Sequence, residues 1–241
     1  MNGLHPQPAP CCLPEEHHLL HQSGETQPDV IFDASNMASN IKNATVQTIH
    51  EANRIVCKLK SKKVTLNFQH LGKDIALKMI VFSDTSFGNL SEGGTQGGHL
   101  ILLMGKNWKF SPLTWQSKRV KRIVRSRFAG ETLALSDGMD NAVFPATLFS
   151  ELITGDTEHA PPIICITDNH SLMDALQSTK SVSEKRLRLE ISSIKELVQA
   201  QKIERVLWHN TNKQLADCLT KKEEPAYQLL NALNDGQWKL D

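Results

Sequence analysis

No stretch of about 18 apolar residues occurs in the 241-residue chain, which excludes a membrane-spanning helix. The opening residues, MNGLHPQPAPCCLPEE, lack a basic start followed by an apolar core, so no secretory signal is expected. An excess of charge of one sign is missing too. Lysines and arginines number 27 against 26 aspartates and glutamates, and a net charge of +1 excludes a wholesale polycation while permitting a local basic patch. Cysteines are few and scattered, at Cys11, Cys12, Cys57, Cys165 and Cys218, with no recurring spacing. An odd set without a repeat argues against a disulfide framework and for reduced thiols in an intracellular protein of the cytoplasm or nucleus. What remains, 39% hydrophobic and 22% charged, is ordinary for a globular protein: one domain with attachments, or two small ones.

Residues 1–28 hold five of the ten prolines and four of the ten histidines. Such a stretch buries too little apolar surface to offset the entropy of ordering, so a disordered leader is expected. Cys11, Cys12, His17, His18 and His21 invite a zinc reading, but adjacent cysteines lack the gap of a structural site. Further on, Val46, Ile49, Val56 and Leu59 recur at helical steps and run into Lys58, Lys60, Lys62 and Lys63. This predicts an amphipathic helix whose positive end suits the helix dipole and whose apolar face needs a partner.

The segment Ile75–Phe82 is apolar and ends in Ser83-Asp84. A Gly-rich turn, the run His99–Met104, a turn at Gly105-Lys106-Asn107 and the partly alternating Trp108–Trp115 follow. Three strands in an antiparallel meander are expected, with Pro112 confining the third to an edge. Downstream, helix and strand alternate. A helix is predicted over Phe128–Leu152, with Gly130, Gly138 and Pro145 lowering its quality. A buried strand at Ile163–Ile166 comes next, then a helix marked by Leu187, Ile191, Ile194 and Val198, then a strand at Val206–Trp208. A short final helix over Gln214–Lys221 leaves 223–241 as a C-terminal tail. The order βββαβαβα implies an α/β fold with a mixed sheet flanked by helices.

Four acids fall at informative places. Asp84 and Asp168 each follow an apolar strand at its carboxyl end, where crevices form in open α/β sheets. Glu131 lies early in the long helix and Asp217 in the short one. Converging on one cleft, they would repel unless divalent cations stood between them. Two such ions about 3.5–4 Å apart suit in-line phosphodiester hydrolysis. Oxygen ligands without histidine or cysteine select Mg²⁺ or Mn²⁺ over zinc. Taken singly, each acid is equally a cap, a turn residue or a solvated surface group.

These elements occur together in one family. IVFSDTSFGN, LTWQSKRVKRIVRSRFAGETLAL, ITDNHSLMDAL and TNKQLADCLTK stand in order between Ile75 and Lys222, roughly three-fifths of the chain. There the chain resembles the ribonuclease H domain of copia-type (pseudovirus-like) retrotransposon polyproteins, the last element being the most specific. The resemblance implies a ribonuclease H-like fold with five strands in the order 3-2-1-4-5. It implies hydrolysis of the RNA strand of an RNA–DNA hybrid, with Asp84, Glu131, Asp168 and Asp217 holding two Mg²⁺ or Mn²⁺ ions. Residues 29–72 resemble the connection or thumb segment after the reverse-transcriptase core, which implies a polymerase subunit as a further partner. FAGETLAL departs from the family by lacking a second acid and an aromatic after the glutamate. No adjacent Asp-Asp pair exists in the chain, so the polymerase site itself is absent and a fragment of a polyprotein is expected. Two alternatives stand beside this reading: an inactive remnant of the fold that binds nucleic acid or serves as a scaffold, and an integrase-like nuclease. The latter's last acid would fall at Glu184, Glu190 or Glu196.

Six cations, Lys118, Arg119, Lys121, Arg122, Arg125 and Arg127, crowd the segment before Glu131. They are expected to neutralise phosphates of a bound duplex; a solvated connector or an import signal are the plain alternatives. Trp115 beside them is as readily a core residue. His209, eight residues before Asp217, is a second-tier candidate: related ribonucleases H use a mobile histidine near the last acid, at a longer spacing, and a lone histidine after a strand reads first as ordinary surface.

Overall fold

The computed structural model describes residues 24–61, 63–72, 76–222 and 224–239. The cysteine–histidine cluster of the leader lies outside the described residues. Of the leader expected over 1–28, only residues 24–28 are described, and they lie against the sheet: Gly24 O accepts from Trp115 Nε1 at 2.8 Å, and Pro28 is buried at the start of a 3-10 turn.

Five strands form one sheet: β1 (Lys78–Ser86), β2 (Gln96–Met104), β3 (Phe110–Arg119), β4 (Ile163–Thr167) and β5 (Arg205–Trp208). Their order is β3-β2-β1-β4-β5. The first three pair antiparallel, and β4 and β5 run parallel to β1. This is the order and sense expected of the ribonuclease H-like fold. Pro112 stands on the edge strand, and the β2–β3 register slips beside it: Ile101 faces Thr114 while Leu102 faces Pro112. A residue that cannot donate to the ladder is tolerated where one side of the strand has no neighbour.

The central strands are apolar without alternation because both sheet faces are covered. On one face Met79, Val81, Ile101 and Cys165 meet Leu135 and Met139 of α3 (Arg127–Thr154) and Ile191 and Ile194 of α5 (Lys185–Gln199). On the other, Ile80, Phe82, Leu100 and Ile166 meet Leu219 of α6 (Asp217–Thr220) and Leu229 and Leu233 of α7 (Tyr227–Asp235). The helix of lowest composition quality, α3, is secured at its ends. Ser126 Oγ accepts from Ala129 N at 3.1 Å, and Gly155 closes the helix in a left-handed conformation.

Two expectations need correction. Of the short helix expected over Gln214–Lys221 only the single turn of α6, Asp217–Thr220, is helical, a 3-10 turn at Thr211–Lys213 precedes it, and it is not the last helix. Leu229, Ala232 and Leu233, at helical spacing, bury one face of α7 in the core, and its end is fixed where Gln237 bridges Lys109. The helix α4 (His170–Gln177) was likewise unforeseen. Asn169 caps it by accepting from Leu172 N at 3.0 Å.

The buried face of α2 (Val46–Ser61) is rotated from the one expected: Thr48, Ala52 and Ile55 are buried and Val56 and Leu59 partly so, while Val46 is exposed. Ala52 and Ile55 pack with Met37 of α1 (Ile31–Asn40) and with Val30 just before it. α1 in turn packs on β3 and α6. Residues 63–72 continue along the edge, with Asn67 N donating to Leu233 O at 3.0 Å and Ser111 Oγ to Gln69 O at 3.3 Å.

One glycine lets α6 reach the sheet. Gly98 faces Asp84 across the β1–β2 pair. A Cβ there would come within 2.9 Å of Thr220 Cγ2 and 3.0 Å of Leu219 Cβ. Gly98→Ala should therefore lift α6 and destabilise the protein by about 1–3 kcal/mol, measurable by denaturant unfolding. An unchanged midpoint would mean that α6 does not depend on this close approach.

Candidate metal centre

The sheet order brings the carboxyl ends of the parallel neighbours β1 and β4 side by side. Asp84 lies near the end of β1 and Asp168 one residue beyond β4, so both acids leave the sheet at the same end. α3 delivers Glu131 to that end. Its approach is close: a Cβ on Gly130 would sit 2.9 Å from Thr85 Oγ1. The same Thr85 holds the glutamate, donating to Glu131 Oε1 from its backbone N at 3.3 Å and from Oγ1 at 3.0 Å. Asp84, Glu131 and Asp168 each offer an oxygen within 4.8 Å of the others'.

Burial sets the electrostatics. Asp84 is 2% exposed and Glu131 6%. Loss of solvent pushes the Asp84 carboxyl up to about 7, and the charges of Asp217 and Asp168 add to the rise, while Lys221 and the Thr220 hydroxyl oppose it. Glu131 is raised well above the usual range, by burial first and then by Asp84 and Asp168. Asp168 is half-buried. It is oriented from β5 and the turn after it: Thr211 Oγ1 donates to Asp168 Oδ2 at 2.7 Å, and Trp208 Nε1 to its backbone O at 2.9 Å.

Glu131 Oε2 is buried without a partner. A buried carboxylate oxygen left unpaired is costly. With two further carboxylates within reach and no nitrogen or sulfur donor among them, the trio fits a hard divalent cation, Mg²⁺ or Mn²⁺.

Asp217 stands one step away. Its carboxylate is outside the trio and meets Lys221 Nζ at 2.8 Å, while that ammonium lies 3.9 Å from Asp84 Oδ2. Burial raises Asp217, and Asp168 and Glu224 add to the rise against the opposing Lys221. The residues of QLADCLTK explain its position. Gln214 Nε2 donates to Ser83 O at 2.9 Å, Ala216 is fully buried, and Thr220 Oγ1 donates to Asp84 Oδ2. Sequence reasoning passed over Thr85, Thr211, Trp208, Gln214, Thr220 and Lys221 as functional residues. The signal for two of them was available, since Thr220 and Lys221 fall three and four positions after Asp217, on its side of a helical turn.

The basic run is divided. Lys118 Nζ pairs with Asp137 Oδ1 at 2.6 Å, and Arg122 pairs with Glu190 of α5. Arg119 leans over Gly94. Lys121, Arg125 and Arg127 are exposed. Lys118 and Arg119 face Gly97 and Gln96 in register, just beyond the Asp84–Gly98 pair, so the run begins at the sheet end that carries the acids. Trp115, on β3, is partly buried and packs against the core cluster. His209 N donates to Thr167 O at 2.9 Å, extending the β4–β5 ladder. Among the described residues no hydrogen bond or ion pair joins its ring to the acids.

No protein-family model and no curated protein matches the chain. Solved structures of similar form include ribonuclease H domains and a foamy viral protease–reverse transcriptase. The N-terminal RNase H domain of a Mycobacterium tuberculosis protein, fused to maltose-binding protein, is 13% identical over 66% of this chain and 97% of that one, with a TM-score of 0.40. RNase H1 from the halophilic archaeon Halobacterium salinarum is 14% identical over 57% of this chain and 89% of that one, TM-score 0.38. A foamy viral protease–reverse transcriptase in complex with an RNA/DNA hybrid is 13% identical over 90% of this chain and 27% of that one, TM-score 0.43. At these scores the likenesses carry no argument by themselves. The fold rests on strand order and sense, and the chemistry on the carboxylates.

The raised carboxyls make a pH prediction for protein kept metal-free by a chelator. Asp84 moves from 3.8 to about 7 on folding, so between those values the folded chain keeps a proton that the unfolded chain releases. Stability from this group is unaffected below about pH 4, falls as pH rises towards 7 and levels off above, a loss on the order of 4 kcal/mol. Thermal unfolding from pH 4.5 to 8 should show Asp84→Asn gaining on the wild type as pH rises. Added Mg²⁺ should stabilise the wild type at pH 8 and barely at pH 4.5. A gap that stays constant with pH would contradict the assignment.

Proposed function

We propose that the chain is a metal-dependent endoribonuclease that hydrolyses the RNA strand of an RNA–DNA hybrid. One observation carries the reading: Asp84, Glu131 and Asp168 converge within 4.8 Å at the carboxyl end of a mixed sheet in the order 3-2-1-4-5. Bound Mg²⁺ or Mn²⁺ would activate a water and stabilise the leaving oxygen of the scissile phosphate. The chain's own part is to hold the ligands still. Thr85 fixes Glu131, Thr211 and Trp208 fix Asp168, and Thr220 fixes Asp84. The in-line scheme uses two ions, and Asp217 is the group that would complete the second position. A hybrid is recognised by shape and the 2′-hydroxyl rather than by base sequence. Lys121, Arg125 and Arg127, exposed and outside the Asp137 and Glu190 ion pairs, are the cations suited to its phosphates.

The four sequence elements support a copia-type retrotransposon origin, and with it a reverse-transcriptase polymerase subunit as partner of the 29–72 segment. The same reading carries an intracellular location, in cytoplasm or nucleus, where hybrids form.

Incubation of the purified chain with a hybrid labelled in the RNA strand tests the proposal directly. Cleavage with Mg²⁺ or Mn²⁺ is expected, and Asp84→Asn or Asp168→Asn should abolish it while leaving hybrid binding intact. Binding by the wild type with no cleavage under either ion would instead favour a non-catalytic, nucleic-acid-binding remnant. The basic run has its own test. Lys121→Ala with Arg125→Ala should reduce the slope of log affinity against log salt by roughly two. Turnover at saturating hybrid should change little, since uniform binding energy is lost from the Michaelis constant rather than the chemical step. Arg122→Ala, whose partner is Glu190, should alter the slope less. A slope indifferent to Lys121 and Arg125 would remove the run from the substrate path.

A further inference from the structure

The gap between Asp84 and Asp217 already contains a positive charge. Lys221 Nζ sits 2.8 Å from Asp217 Oδ1 and 3.9 Å from Asp84 Oδ2. Its side chain is 29% exposed, so the ammonium is partly withdrawn from water. The pose is built into the local chain. Lys221 caps α6 through its backbone N, which donates to Asp217 O at 3.2 Å. Its neighbour Thr220 is buried and bound to Asp84 Oδ2. Gln214 ties the start of the same segment to Ser83 O, one residue from Asp84. Every one of these contacts draws the lysine towards the two aspartates.

A divalent ion shared by Asp84 and Asp217 would need to approach their oxygens to about 2.0–2.1 Å for Mg²⁺. It would thus stand in the space that the ammonium takes, and the two cations would repel. The other side of Asp84 differs. Glu131 and Asp168 lie there with an unpartnered buried Glu131 oxygen, and among the described residues neither forms an ion pair with a cation.

We infer that Lys221 is a resident cation that fills the second metal position of the free protein, so that the unliganded chain takes one divalent ion at Asp84, Glu131 and Asp168 rather than two. Lys221 is a positioning residue in this account: it holds Asp217 and one oxygen of Asp84 in place of a metal. The inference rests on the proposed metal centre, and its test reads ion number without substrate or turnover.

The experiment is a Mn²⁺ titration of the full chain without nucleic acid, with free ion followed by electron paramagnetic resonance. The wild type should hold one ion per chain. Lys221→Met should hold two, and Lys221→Arg, which restores the positive charge, one. Adding Asp217→Asn to Lys221→Met should return the count to one by removing a ligand of the vacated position. Should Lys221→Met fail to fold, Lys221→Gln carries the same expectation, with thermal unfolding as the check on integrity. Two ions of similar affinity in the wild type would overturn the inference, as would a folded Lys221→Met that still holds one. Failure of the metal-centre reading looks different. In that case Asp168→Asn would leave the wild-type ion count unchanged, or the wild type would bind none while Lys221→Met gained one.

Discussion

Three carboxylates share one poorly hydrated corner, and the rest of the site answers to that. Two ionised groups within 4.8 Å repel by about 3 kcal/mol at an effective dielectric near 20. Three such pairs amount to about 10 kcal/mol, as large as the whole stability of an ordinary domain. The corner therefore exists in one of two forms: partly protonated, or filled by cationic charge. Its walls are arranged for the second. The donors around Asp84, Glu131 and Asp168 are hydroxyls and amides from Thr85, Thr211 and Thr220, which orient carboxylate oxygens without neutralising them. On the proposed reading, net neutralisation would fall to a divalent ion on one side of Asp84 and to Lys221 on the other.

That division depends on α6, which is only one turn long and has no stability of its own. Tertiary ties hold it. Leu215, Ala216 and Leu219 enter the core, Gln214 reaches the backbone of β1, and Gly98 clears the surface on which Thr220 rests. A short helix fixed at both ends places Asp217 and Lys221 more accurately than a longer exposed one would, because its geometry is that of the sheet beneath it. The outer layer adds to this. α1 packs on both β3 and α6, and Gln96 Nε2 joins Ser35 Oγ and Ser117 Oγ at 2.9 and 2.7 Å. The segment preceding the sheet is thereby coupled to the turn that carries the last acid.

The sheet was legible in the sequence because its signals were local and strong. Apolar runs ending in Ser83-Asp84 and Thr167-Asp168 mark buried strands, and Pro112 marks an edge. The long helix was legible despite Gly130 and Gly138, although its composition gave no reason for the first of them. That reason is the approach of the helix to Thr85, a contact 45 residues apart in sequence (130 − 85). α7 was missed because QLLNALND is short and moderately apolar, and only the presence of a sheet face shows what it covers. Within the site, Asp84, Glu131 and Asp168 came from strand ends and motif residues. Thr85, Thr211 and Trp208 did not, since common polar residues acquire a role only from the neighbour they face. Lys221 was written in the motif, yet its effect on the number of cations is a matter of distance, which spacing alone does not supply.

Internal pairing also changes what the basic run means. Six cations in sequence suggest one continuous electrostatic surface, but Lys118 and Arg122 are engaged with Asp137 and Glu190. Asp137 is held from a second side by the buried His99, whose Nδ1 lies 3.3 Å away, and its carboxyl is drawn below the ordinary range by His99 and Lys118 in spite of partial burial. These pairs pin an otherwise irregular connector between β3 and α3 to the helices beneath it. Exposed ion pairs add little stability, so their consequence is geometric. With the end of β3 held at Lys118 and the connector at Arg122, Lys121 and Arg125 are presented outward from a fixed base. β3 lies two strands from β1, about 10 Å away at ordinary strand spacing. A duplex whose backbone rested on Lys121 and Arg125 would therefore have to lie across β2 to bring a phosphate to the acids. At that crossing β2 is itself buried, Gly98 beneath Thr220 and Leu219 of α6 and Gly97 beside Val120, so the duplex would ride over these covering residues rather than on the strand.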